Sequence, residues 1–187
     1  MPGSIKIDDG SGNYTILTNA GSLGSDKTIT IPNETGTAAL TSDIVEGISE
    51  ADQWNVTSSV SSVGVITSNH ARKSSGVYVG TGMTESSGIY TFPSTGIWWV
   101  WWSGKFRGSA GDFGDLYMDK TTNGTDYFQQ NVASGTPDGI VQTGSTSQLV
   151  DVTDTSNVKV RFRFDNGTST SMDGGTILFC FFRLGDT

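Results

Sequence analysis

Ile97-Trp98-Trp99-Val100-Trp101-Trp102 holds four of the five tryptophans in a chain of 187 residues. Entered through Pro93-Ser94-Thr95-Gly96, this aromatic and β-branched run predicts a strand. It is too short to cross a membrane, which takes about 20 apolar residues. Side chains alternate between the two faces of a strand, so Trp98, Val100 and Trp102 share one side and Ile97, Trp99 and Trp101 the other. Both sides are apolar, unlike those of a sheet with one face in water. One side fills the domain's own core. The other needs a second partner.

Outward from this run, the composition is that of an all-β protein. Twenty-five glycines, abundant Ser and Thr and only 16% charged residues surround short apolar runs. Candidate strands cover 59–66, 77–79, 89–92, 97–106, 116–119, 149–152, 158–164 and 177–184. Turn signals at Thr122-Asn123-Gly124, Thr136-Pro137-Asp138-Gly139 and Asp165-Asn166-Gly167 separate several of them. Eight short strands at this spacing predict a two-sheet sandwich, with a jelly roll as the leading topology.

Two of these strands differ in kind. In Val158-Lys159-Val160-Arg161-Phe162-Arg163-Phe164, apolar residues hold one parity and cations the other, which predicts a half-buried strand with a wet outer face. In Ile177-Leu178-Phe179-Cys180-Phe181-Phe182 both parities are apolar, as in the tryptophan run. Two such strands would expose more apolar surface than soluble monomers carry. Burial between copies of the chain is the economical solution.

Upstream, residues 1–41 hold short alternating strands, Ser4-Ile5-Lys6-Ile7-Asp8, Tyr14-Thr15-Ile16-Leu17-Thr18 and Thr28-Ile29-Thr30-Ile31-Pro32. So small a region cannot bury enough apolar surface to stand alone. Residues 42–55 predict a connector with the one plausible helix, over 42–54. Ser42 and Asp43 could cap it, Ile44 and Ile48 share a face, and Ser49-Glu50-Ala51-Asp52 has capping-box spacing. It reads either as a polar connector or as a neck in which three copies pack Ile44 and Ile48 around an axis. Residues 56–187 form the head.

Two stretches resemble known families. Asp26-Lys27-Thr28-Ile29-Thr30-Ile31-Pro32-Asn33-Glu34-Thr35-Gly36-Thr37-Ala38-Ala39-Leu40 resembles a short β motif of bacteriophage fibre and tail-associated proteins, in which two strands flank a Pro-x-x-x-Gly-Thr turn. Gly88-Ile89-Tyr90-Thr91-Phe92-Pro93-Ser94-Thr95-Gly96-Ile97-Trp98-Trp99-Val100 resembles the signature of the globular head of the complement q-subunit, which shares its fold with tumour necrosis factor. Leu178-Phe179-Cys180-Phe181-Phe182-Arg183-Leu184-Gly185-Asp186 is similar to that family's closing strand. The resemblance implies a ten-stranded jelly roll in a tight homotrimer, with these two strands adjacent in the sheet that lines the trimer. On that reading Trp99, Trp101, Phe179 and Phe181 line the interface. Trp98 in place of the usual Tyr, Val100 in place of an aromatic, and the lack of a collagen-like stalk depart from the secreted animal members.

Chemistry is sparse. A net charge of −8 argues against a nucleic-acid face. One histidine, His70, and one cysteine, Cys180, build neither a Ser/His/Asp arrangement nor a zinc cluster nor a disulfide framework. His70 reads as a surface-loop residue and Cys180 as a small buried hydrophobe. The pairs Asp112/Asp115 and Asp151/Asp154 lack a calcium-loop pattern, so neither catalytic nor metal residues are assigned and no cofactor is expected; only the family resemblance admits calcium. Lys159, Arg161 and Arg163 make a stripe that is either a solvated face or a contact for an acidic glycan. Tyr78, Tyr127 and Phe128 either pack or stack on sugars. The N-terminus has no apolar stretch of the signal-peptide kind, so the chain is expected to fold in a cytoplasm, and its five Asn-x-Ser/Thr sequons are read as accidental. Together these readings predict a non-enzymatic bacteriophage virion protein, a trimeric fibre or spike. Residues 1–41 would hold it to other virion proteins while the head meets a host surface. A capsid decoration protein is the alternative; a tailspike-type polysaccharide-degrading enzyme is a distant third.

Overall fold

The computed structural model describes residues 4–8, 11, 14–18, 47–139 and 141–186. The chain divides into two compact units, Met1–Thr41 and Ser42–Thr187. In the first, β1 (Ser4–Asp8) pairs antiparallel with β2 (Tyr14–Thr18), Ser4 opposite Thr18 and Asp8 opposite Tyr14. The strand expected at 28–32, the 26–40 motif and Ile44 lie outside the described residues.

The second unit runs β3 (Ala51–Val56), β4 (Gly64–Val65), β5 (His70–Arg72), β6 (Tyr78–Val79), β7 (Thr84–Ser86), β8 (Ile89–Thr91) and β9 (Gly96–Arg107). It continues with β10 (Gly114–Thr121), β11 (Tyr127–Gly135), β12 (Val141–Val152), β13 (Lys159–Asn166), β14 (Ser171–Met172) and β15 (Ile177–Gly185). These strands form two antiparallel sheets. One has the order β11-β10-β13-β8-β7, with β4 also on β13. The other has the order β12-β9-β15-β3-β5, with β14 on β9 and β6 on β3. We call them the six-stranded and seven-stranded sheets. This is the expected jelly-roll sandwich.

Its core is the inward parity of both sheets. Trp98, Val100 and Trp102 of β9 and Phe179 and Phe181 of β15 meet Leu116, Met118, Phe162 and Phe164 of the opposite sheet, all essentially sealed from solvent. Phe162 and Phe179 stack face to face across the gap, ring centroids 3.8 Å apart. The buried indole N–H groups are satisfied: Trp102 donates to Leu116 O at 2.8 Å and Trp98 to Ser94 O at 3.2 Å. At one side the sheets nearly touch, where a side chain on Gly144 of β12 would sit 2.5 Å from Ser134 O of β11. Ser87 (φ 52°) and Gly88 (φ 83°) make the tight β7–β8 turn, where left-handed conformations suit the strand twist.

Of the helix expected over 42–54, residues 42–46 lie outside the described residues; 47–54 hold no helix and run into β3, and no helix occurs among the described residues. Ala51–Val56 is zipped to β15 on one side and to β5 and β6 on the other. Backbone pairing over six residues outweighs a short, weakly capped helical preference. Asp52, expected as a capping acid, is instead 1% exposed and faces inward. The strand expected over 59–66 shrinks to β4 and a bridge between Val60 and Met172, with a bend at Ser62 and Val63 between them. Two polar strands, β11 and the first half of β12, come without a sequence signal.

Candidate assembly interface

The seven-stranded sheet turns its second face outward, and the strand register assembles that face row by row. Paired residues in an antiparallel sheet point the same way, so Leu149, Trp99, Phe182, Ala51 and Val79 form one row across β12, β9, β15, β3 and β6. Five strands make this row about 19 Å wide. Trp99 and Phe182 stack with centroids 5.6 Å apart. Exposure stays high for large apolar groups, 37% for Trp99, 56% for Leu149 and 40% for Val79. The next row is Ser147, Trp101, Cys180 and Gln53. There Cys180 is 6% exposed, its Sγ accepts a hydrogen bond from Gln53 Nε2 at 3.3 Å, and burial pushes its thiol pKa up.

Polarity grades along the same strand. Beyond Trp101 the outward parity of β9 becomes Ser103, Lys105 and Arg107, the last two paired with Asp173. The apolar half of the face is therefore a bounded patch with a charged border. The expected parity of the tryptophan strand is what the fold adopts. The interface expectation for β15 is corrected: Phe179 and Phe181 are 0% exposed in the subunit's own core and offer nothing to a second copy. Register sets this, since Phe179 lies opposite Trp102 and Phe181 opposite Val100, both inward. Leu178, Cys180 and Phe182 take the outward positions. Ile48 is 52% exposed but stands on no helix.

The six-stranded sheet has a different outer face. Asp119, 3% exposed, receives Arg161 Nε at 3.2 Å and Arg163 Nε at 3.6 Å on one carboxylate oxygen. Arg161 lies over the Tyr127 ring at 4.1 Å and Arg163 over Tyr117 at 4.3 Å, giving a Tyr-Arg-Asp-Arg-Tyr ladder. Burial pushes the Tyr127 and Tyr117 hydroxyl pKa values up. Phe128, 66% exposed, pairs with Lys120, whose other partner is the inward Val160, so it sits on the opposite parity from the ladder. Of the residues considered for sugar contact, the fold brings Tyr127 to Arg161 and Arg163 and leaves Phe128 apart from them.

Other candidates are structural. His70 is no loop residue: it lies on β5, donates from Nε2 to Ile66 O at 2.8 Å, and meets the Tyr90 hydroxyl at Nδ1, 2.7 Å away. Since a carbonyl can only accept, the neutral ring carries its proton on Nε2 and takes Tyr90's proton as a hydrogen bond. Asp52 binds Arg72 through both oxygens, at 2.9 and 3.0 Å, and also accepts from Trp54 Nε1 and Met83 N. That bond first of all raises the Arg72 pKa. Asp112 accepts from Ser169 N and Oγ, and Asp154 from Ser156 N and Asn157 Nδ2, which spends both on loop geometry. A cleft of about 220 Å³ near Ser59, Val60, Ser68 and Asn69 is lined by no acid, base or thiol. Among the described residues, no group of three or more His, Cys, Asp or Glu side chains is placed to hold a metal.

No protein-family model matches the sequence, and no curated protein matches it. Solved structures do. Murine APRIL at pH 5.0 superposes with a TM-score of 0.57 at 9% identity, over 72% of this chain and 98% of that one. The Eiger TNF of S. frugiperda superposes with a TM-score of 0.56 at 11% identity, over 75% and 96%. PRD1 vertex protein P5 reaches 0.49 at 14% identity, over 75% and 100%, a likeness too slight to carry an argument. The fold of the second unit is a tumour-necrosis-factor-like jelly roll.

Proposed function

We propose that this chain is a non-enzymatic structural protein of a bacteriophage particle that works as a homotrimer. Residues 1–41 attach it to other virion proteins, and the jelly-roll head points outward to a host surface. The observation that carries the assembly is the row Leu149, Trp99, Phe182, Ala51 and Val79: a bounded apolar face on a sheet whose core is already complete. Leaving it in water forgoes roughly 25 cal/mol for each Å² of apolar surface that a partner could cover. The jelly-roll resemblance favours three copies over two. The fibre-type pattern at 26–40 supports a phage particle, and among the described residues of the head no nucleophile, base and anion-stabilising donors are brought together to support catalysis.

Native mass spectrometry tests the assembly: three times 19.8 kDa is expected, and a stable monomer at micromolar concentration overturns it. Trp99→Asp should convert the trimer to monomer while leaving the β-sheet circular dichroism intact, because Trp99 lies on the outward parity, 37% exposed and stacked on Phe182. Antibody labelling of intact particles in the electron microscope tests the location. Label at a fibre tip is expected, label over the capsid surface would favour decoration, and no label would remove the virion reading.

A further inference from the structure

The outer face of the six-stranded sheet holds a second surface that the apolar interface leaves free. Three of the chain's eleven Lys and Arg residues, Lys159, Arg161 and Arg163, alternate along the outward parity of β13. The single carboxylate among them, Asp119, contacts both arginines at Nε. An Arg recognises a carboxylate or sulfate best through two parallel N–H bonds. Contact at Nε leaves the outer pair of nitrogens of each guanidinium available. Among the described residues, one of those four nitrogens is taken, Arg163 Nη2, which donates to Gln129 Oε1 at 3.1 Å. Tyr127 and Tyr117 fix the planes of the two groups by stacking, so little side-chain freedom is left to lose on binding.

We propose that this Lys159-Arg161-Arg163 ladder binds an acidic saccharide through a carboxylate or sulfate group. Three cations on a chain of net charge −8 are too few for a nucleic-acid backbone. The flanking groups suit a sugar: Thr91 lies opposite Lys159 and Gln129 opposite Asp119. The surface also has a limit. Two rows along the strand from Arg161, Asp165 faces Asp115 across the strands and repels an anion, so the charged group is held toward Lys159. The biological use of this site rests on the outward-facing role proposed above; the binding itself does not.

Calorimetric titration of the full chain tests it, with tetragalacturonate, a sulfated galactose tetrasaccharide and neutral galactotetraose as probes. Saturable binding of at least one acidic sugar, tenfold or more tighter than the neutral one and weakened by raising salt, is expected. Lys159→Gln and Arg161→Lys should each weaken it about tenfold, and Lys159→Gln should leave the melting temperature unchanged because Lys159 has no part in the Asp119 contacts. Equal binding of all three sugars, no binding, or full binding by both variants overturns the proposal. Native mass on the same samples reports assembly separately, so a failed trimer and a failed sugar site give different results.

Discussion

Strands β9 and β13 meet the same demand on one face and opposite demands on the other. Inward, both present large rings, Trp98 and Trp102 in one and Phe162 and Phe164 in the other, all at or near zero exposure. Outward, β9 carries Ile97, Trp99 and Trp101, while β13 carries Lys159, Arg161 and Arg163. The inner parity is dictated by the sandwich. On the assembly proposed above, the outer parity reports what lies beyond it, a second copy for β9 and water or a polar ligand for β13. A strand apolar on both sides within a closed two-layer sandwich is thus a statement about a third layer.

The comparison breaks most visibly if parity is tested by truncation. Phe181→Ala removes a 0%-exposed ring that contacts Tyr90, Phe92 and Phe162. It should lower unfolding stability by about 4 kcal/mol, near the usual cost of emptying a core aromatic site. Phe182→Ala, one residue on but outward, should cost well under half of that in the monomer and should weaken assembly. Urea unfolding of the two variants in a Trp99→Asp background separates the effects, and equal losses would show that the sheet has no outer apolar face.

How far this parity could be read from sequence differs between the two strands that matter. In β9 the sequence left the parity of the tryptophans open, and the signal that orients them is the run from Trp101 into Ser103 and Lys105, which leaves a polar mark on the outward side. In β15, Phe179, Cys180, Phe181 and Phe182 carry no such mark. Only the cross-strand pairing of Phe179 with Trp102 orients them, and pairing is not written in local sequence. The same holds for His70, whose partner Tyr90 is twenty residues away on the other sheet, and for Ala51–Val56, where local helix signals yield to two neighbouring strands. β11 was hidden by its own bulge, where the register shifts between Met118 and Asp119 and an edge rich in Gln and Asn loses its alternation. Of the residues expected at the interface, Trp99 and Trp101 on the marked strand face outward, while Phe179 and Phe181 on the unmarked strand face inward.

A smaller effect sharpens the polar side of the comparison. Asp119→Ala leaves Arg161 and Arg163 without their shared acceptor on a strand where both are largely covered. The expected loss is about 2 kcal/mol, the scale of charge-assisted hydrogen bonds. Asp119→Asn should recover part of it. A loss near zero in thermal and urea unfolding would reduce the ladder to an ordinary solvated face, with guanidiniums too loosely held to preorganise a site.

The smallest effect lies at the charged border of the apolar face. Hydrogen bonding to Arg107 first, with Lys105 adding to it, holds the Asp173 carboxyl below its usual pKa. A carboxylate depressed in the folded state adds stability above its unfolded pKa of about 3.9 and loses that contribution as pH falls through the lower folded value. Asp173→Asn should therefore melt slightly below the parent chain at pH 6, and the gap should close as the pH falls below the unfolded pKa of about 3.9. Because the three charges edge the proposed interface rather than fill it, the variant should remain assembled at pH 6. A variant that dissociated there would move the border of the interface from Trp101 out to Arg107.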